Sequence, residues 1–181
     1  MRTPTPDEIR QAVNTTVPDV IASGLQVLFC GINPGLYTAA VGHHFARPGN
    51  RFWPAMARAG LTPRRFSPDD ERELLALGYG ITNVAARATA AAADLADAEL
   101  IAGKALLAEK VLRYQPRVLA VLGVTAYRTA FDRPHAVLGP QPERIGDTTI
   151  WVLPNPSGLN AHCQVPELAE WLRRVKEAAE A

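Results

Sequence analysis

Residues 25–36 read LQVLFCGINPGL. The first seven form a nearly continuous apolar run, the pattern of a strand covered on both faces, and Gly31 closes it. An Asn-Pro step between two glycines follows at once. Asn-Pro is a turn signal by itself, but at the mouth of a buried strand it is also a place for chemistry. Three further segments share the strand pattern: GYGITNV (78–84), PRVLAVLG (116–123) and TTIWVLPN (148–155). Each is short, rich in Val, Ile or Leu, and bounded by Gly, Pro or Asp.

Helical patterns lie between these strands. NRFWPAMARAGL (50–61) has Pro near its start and Gly near its end. SPDDERELLALG (67–78) offers Ser67 as N-cap, Pro68 at the first helical position and acidic residues in the first turn. Residues 97–114 are amphipathic, with Leu100, Leu107 and Val111 on one face. Residues 124–132 follow the third strand, and 165–181 close the chain. This alternation predicts a single three-layer α/β/α domain over residues 1–181, with a short, mainly parallel sheet of about four strands and residues 1–23 as a helical N-terminal extension. The alanine-rich stretch 86–100 reads as a helix or a tightly packed loop of small residues.

Composition bounds the function classes. Apolar residues make up 48% and charged residues 20%, which is ordinary globular composition. There is no apolar run of membrane-spanning length, and the first residues lack the basic-then-apolar plan of a signal peptide. The expectation is a cytoplasmic protein without a membrane partner. Two cysteines supply neither a disulfide scaffold nor the four thiolates of an iron–sulfur cluster. The net charge of +1 neither suggests nor excludes nucleic acid, so any phosphate-binding face must be local. GINPG is neither a dinucleotide fingerprint nor a Walker loop, which disfavours a nucleotide cofactor. His43 and His44 are adjacent, point apart and have no ligand-spaced partner, so no metal is expected. With Arg47 and Arg51 they read as polar loop residues near phosphate.

In a doubly wound sheet, ligands sit beyond the carboxyl ends of the strands. The first strand ends in GINPG and the fourth in LPNPSGL, so two Asn-Pro turns should emerge on one side of the sheet. GINPG (31–35), FARPGNRFW (45–53) and LPNPSGL (153–159), in this order, resemble the mismatch-specific uracil-DNA glycosylase and thymine-DNA glycosylase family, within the wider uracil-DNA glycosylase superfamily. The resemblance runs from about residue 24 to 175.

That resemblance implies hydrolysis of the bond between uracil and deoxyribose in double-stranded DNA, preferentially in G:U mismatches, by base flipping and a positioned water. Neither Asn-Pro motif holds a lysine to form a Schiff base with the sugar, so a monofunctional enzyme that leaves an abasic site is expected. No cofactor is expected, and a flipping enzyme needs no partner subunit, so the expectation is a monomer. Asn33 falls on the family's water-positioning residue. An amide orients a water but cannot take its proton, so a slow enzyme is expected. Asp94, in the loop after the second strand, would be a general base if it reaches the pocket, and is otherwise a loop or N-cap residue.

Ile32 matches a residue that meets the base through its backbone, and Phe45 matches the base-stacking aromatic. Thr38 falls near the pyrimidine 5-position, where it would crowd the methyl of thymine. Asn83 stands where close relatives carry Lys, leaving a neutral donor and acceptor. Pro156, Ser157, Gly158, Leu159 and Asn160 form the family's DNA-insertion loop, with Leu159 as the wedge. Asn155 stands where other branches carry His and would donate a neutral hydrogen bond to the leaving base. Relatives carry a basic residue at the position of Ala161; Asn160 or His162 would have to replace it. Two other readings remain: a non-catalytic module that binds damaged DNA with the same fold, and a small-molecule hydrolase, in which the wedge loop has no role.

Overall fold

The computed structural model describes all of residues 1–181. The chain order is α1 (Pro6–Gln11), β1 (Val27–Gly31), α2 (Leu36–Val41), α3 (Phe52–Arg58), a 3₁₀ segment (Pro68–Leu77), β2 (Tyr79–Asn83), a 3₁₀ turn (Ala92–Asp94), α4 (Asp97–Tyr114), β3 (Val118–Leu122), α5 (Val124–Ala130), β4 (Gly139–Ile145), β5 (Thr148–Leu153) and α6 (Val165–Glu180). The strands form one sheet in the order β2-β1-β3-β5-β4. β2, β1, β3 and β5 pair in parallel, and β4 joins β5 antiparallel.

The sheet thus has five strands where the sequence predicts about four. The added strand is β4, which carries Pro140 and Pro142, residues that cannot donate to a ladder. At an edge that defect is harmless, and the register shifts between Pro140 and Arg144. The segment 67–78 also departs from the prediction, forming a 3₁₀ rather than an α-helix. Its start is closed by Asp70, whose carboxylate accepts from the Ser67 N–H at 2.8 Å.

Strand alternation sorts the core into two layers. Val27, Phe29, Val118, Ala120 and Leu122 face α3 and α6, with Phe52, Met56, Leu168 and Leu172 packed against them. Leu28, Cys30, Leu119 and Val121 face α4 and α5, meeting Leu107, Val111 and Tyr127. Both faces are dry, which is why these strands read as continuous apolar runs. On the far side of β2, Val20 and Ile81 exchange backbone hydrogen bonds of 2.9 and 2.7 Å. The N-terminal segment therefore covers what would otherwise be an open sheet edge. From β1 the chain passes to β2 on one side and then to β3 on the other. The strand order reverses at the carboxyl end of β1, where a doubly wound sheet opens its ligand crevice.

Candidate active site

A cavity of about 230 Å³ lies there. Clefts for drug-sized ligands start at roughly 300 Å³, so this one suits a ligand the size of a single base. It is lined at the strand ends by Gly31, Asn83, Leu122 and Asn155, and from the loops by Asn33, Thr38, Phe45, Arg47, Thr89 and Leu159 among others. No carboxylate, lysine or cysteine lines it, and Arg47 is its one permanently charged side chain. The chemistry available is therefore that of amides, hydroxyls, an imidazole and an aromatic face.

The amide of Asn33 is fixed in a known orientation. Its Nδ2 donates to the Arg87 carbonyl at 3.0 Å and to Thr89 Oγ1 at 2.7 Å. A carbonyl can only accept, so the nitrogen must be on that side. Thr89 Oγ1 passes its own proton to the Ala91 carbonyl at 2.7 Å. No protein group donates to Asn33 Oδ1, which is left as an acceptor on a cavity-lining residue. Arg87 is itself braced: its guanidinium makes a two-pronged pair with Glu99 at 2.5 and 2.9 Å and reaches Asn14 Oδ1 at 3.1 Å. The hydrogen bonds from Arg87 and from the Ala96 N–H hold the Glu99 carboxyl down, at about 2.

Asn155 is fixed with the opposite polarity. Its Oδ1 accepts from the Ser157 N–H at 2.9 Å, a donor-only group, so Nδ2 is the free end. Asn33 thus offers an acceptor and Asn155 a donor to the same cavity. The side chain of Asn83 makes no hydrogen bond to protein and keeps both functions free. It reaches the cavity because residue 31 is Gly: a Cβ there would lie 2.6 Å from Asn83 Oδ1 and 3.5 Å from the Phe45 ring.

Phe45 adopts a left-handed backbone (φ 53°) that a bulky residue rarely takes. Its neighbours enforce it. The ring stacks on Phe52 with centroids 4.3 Å apart. Ala46 N–H donates to Thr38 Oγ1 at 3.1 Å, and His44 N–H donates to the buried carboxylate of Glu71 at 2.8 Å. Thr38 is buried beside it in the cavity wall. Ile32 lines the cavity too, with its carbonyl accepting from Ala85 N–H at 2.9 Å and its side chain against Gly123.

The loop 155–160 projects Leu159, which is 75% exposed. Asn160 Nδ2 bonds the Asn155 carbonyl at 3.0 Å and its Oδ1 accepts from His162 N–H at 3.0 Å, so that amide holds the loop together. Leu159 N–H donates to Ser157 Oγ at 3.2 Å. Of the two candidates to replace a base at Ala161, only His162 keeps a side chain without a protein partner. Gly158 is packed so closely that a Cβ there would sit 2.7 Å from the Gly49 carbonyl oxygen, with Pro156 contributing its own carbonyl to Arg51 N–H at 2.8 Å.

The reading of His43, His44 and Arg51 as phosphate neighbours needs correction. His43 is paired with Glu71 at 2.9 Å and Asp69 at 3.3 Å. His44 Nε2 meets the Pro18 carbonyl at 2.8 Å. Arg51 is spent on carbonyls of the 157–163 segment. Sequence supplies the charge of these groups but not the acceptors that surround them. Arg47 alone of the four has no protein partner.

Asp94 is not among the lining residues; its carboxylate accepts from the Ala91 N–H at 2.9 Å and closes the 3₁₀ turn it belongs to. Thr89 and the Arg87 carbonyl were not singled out by sequence, since both lie in the small-residue stretch. Cys30 and Cys163 are free and buried, and burial raises both thiols, so neither offers a ready thiolate. No group of three metal-ligating side chains is present, and no helix is long and apolar enough to cross a membrane. The family model described as Uracil DNA glycosylase superfamily matches residues 18–177, nearly the whole chain.

Proposed function

Because the chain belongs to the uracil DNA glycosylase superfamily, and is thereby a hydrolase of the DNA glycosylase kind, we propose that it releases uracil from double-stranded DNA, preferentially from G:U mismatches, and leaves an abasic site. The observation that carries this reading is the pair of amides fixed with opposite polarity, Asn33 and Asn155, in a base-sized cavity without a carboxylate.

The chemistry follows from those groups. The flipped nucleotide puts its base against Phe45, which replaces the stacking lost in the duplex. The free amide of Asn83 pairs with the donor and acceptor edge of uracil. As the glycosidic bond lengthens, the sugar turns oxocarbenium-like and the bonding electrons move onto the base. Asn155 Nδ2, aimed at the leaving base, stabilises that charge. Asn33 Oδ1 accepts a hydrogen bond from the attacking water and so directs its lone pair at C1′. The water's oxygen bonds to C1′, its proton passes to solvent, and uracil leaves as the anion or is protonated in turn. With no carboxylate in the cavity, water activation is weak, and the rate rests on positioning and on a good leaving group. A centre with such weak water activation favours weakly paired lesions, since extrusion costs least there.

Single-turnover excision from G:U duplexes tests the reading directly. Wild type should release uracil and leave an alkali-labile but unbroken strand, and Asn33→Ala should lose about 10²-fold or more. Binding without release by the wild-type chain would overturn it in favour of a damage-binding module. Thr38, buried in the cavity wall, supports a preference for uracil over thymine; equal rates on G:U and G:T would refute that part. The reading includes a monomer in the cytoplasm, to be checked by sedimentation and by fractionation of cells.

A further inference from the structure

One cation organises the whole wedge loop. Arg51 Nη1 lies 3.0 Å from the Ser157 carbonyl, 2.5 Å from that of Asn160 and 2.9 Å from that of Cys163, and Nη2 lies 3.3 Å from that of Gly158. Its backbone N–H takes a fifth carbonyl, that of Pro156, at 2.8 Å. A loop that doubles back so tightly has no ladder to satisfy its carbonyls, and unsatisfied ones are costly. The planar fork of Arg spreads five donors over three nitrogens and so reaches carbonyls on both Nη1 and Nη2; an ammonium has three donors on one nitrogen and cannot span them all. Gly158 rests on Gly49, two residues before Arg51, and Phe52, which follows Arg51, stacks on Phe45. Residues 49–52 therefore seat the wedge on one side and the base-stacking ring on the other.

We propose that Arg51 is a positioning residue for base flipping: it sets the loop that carries Leu159 and ties it to the platform under Phe45, and it does not contact DNA phosphate. The proposal rests on the reading of Leu159 as a wedge. It predicts that the loop is preformed in the free protein and that its geometry fails when the fork is lost, even if the charge is kept.

The test compares Arg51→Lys, Arg51→Met, Gly158→Ala and Leu159→Ala by single-turnover excision from a G:U duplex and from single-stranded uracil DNA, with a 2-aminopurine beside the uracil to report flipping. Arg51→Lys and Arg51→Met should each lower the duplex-to-single-strand ratio roughly tenfold or more, weaken the 2-aminopurine signal and leave the salt slope of binding unchanged. Gly158→Ala disturbs the same seat without touching the guanidinium and should behave likewise, which keeps the test open if an Arg51 variant is unstable. In the Leu159→Ala background, losing Arg51 should cost little more. Full activity in Arg51→Lys with a salt slope lowered by about one in Arg51→Met would make Arg51 a phosphate contact and overturn the proposal. If Leu159→Ala keeps its duplex activity, the wedge reading falls. If Leu159→Ala loses it and the Arg51 and Gly158 variants do not, only the present proposal falls.

Discussion

The seat of Asn33 dictates what can replace it. Both amide protons are spent, one on the Arg87 carbonyl and one on Thr89 Oγ1, whose own proton goes to Ala91. A carboxylate has no donor for these places. Asn33→Asp would put two acceptors face to face, which favours the protonated acid and raises its titration above the ordinary carboxylate range. The variant should therefore be no faster than wild type at neutral pH, and its rate should climb with pH as the acid ionises. A pH–rate profile checks this; a flat, faster profile would refute it. The motif made Asn33 legible in sequence, but its orientation was not, because its partners come from a distant alanine-rich segment that reads only as a helix or a tightly packed loop of small residues. The sequence likewise supplies the charge of Arg51 without the five carbonyls around it.

At the scale of elements, the loop between β2 and α4 does more than span a gap. The Arg87–Glu99 pair straps its two ends together, and the Arg87 carbonyl belongs to the site. The Glu99 carboxyl is lowered from 4.5 to about 2. A depressed acid stabilises the fold above its unfolded value, and the contribution is lost as pH falls from about 4.5 toward about 2. Glu99→Gln should thus narrow the acid-induced loss of stability in that window. Urea midpoints measured from pH 6 down to the acid limit, wild type against variant, would show it. Asp70 and Glu8 are also held low by hydrogen bonds and pairs, so the difference between the two proteins is the informative quantity. The four parallel strands are legible in sequence as short Val-, Ile- or Leu-rich segments between turn residues, β1 and β3 as nearly continuous apolar runs. The edge strand β4 was hidden by its prolines, and the 3₁₀ geometry of 68–77 was hidden because its signals are those of any helix start.

For the molecule as a whole, charge is nearly balanced, with 19 basic against 18 acidic residues. Association with DNA then depends on where free cations stand. Two arginines around the site are committed, Arg51 to the loop and Arg87 to Glu99, and elsewhere Arg64 is paired with Asp70 and Glu73. Arg47 is exposed at the cavity mouth without a protein partner. Arg47→Ala should weaken DNA binding uniformly across sequences and reduce the slope of log K against log salt by about 0.9, with excision at saturating enzyme little changed. A fluorescence-anisotropy salt series measures it. The fold class was legible from alternation alone, because both faces of the sheet are dry. The two-sided core and the reversal of strand order at β1 follow from packing that no single segment encodes.

Leu159 stands largely in water on a loop whose carbonyls are held by Arg51. Under the proposed reading, the protein then carries a rigid feeler, and the duplex must do the yielding. Discrimination is transferred from the enzyme to its substrate: whichever base pair opens most readily is the one the feeler finds. Neighbouring sequence should then tune excision through stacking strength, with flexible pyrimidine–purine steps cleared ahead of stiff A-tracts, although no side chain reads those neighbours.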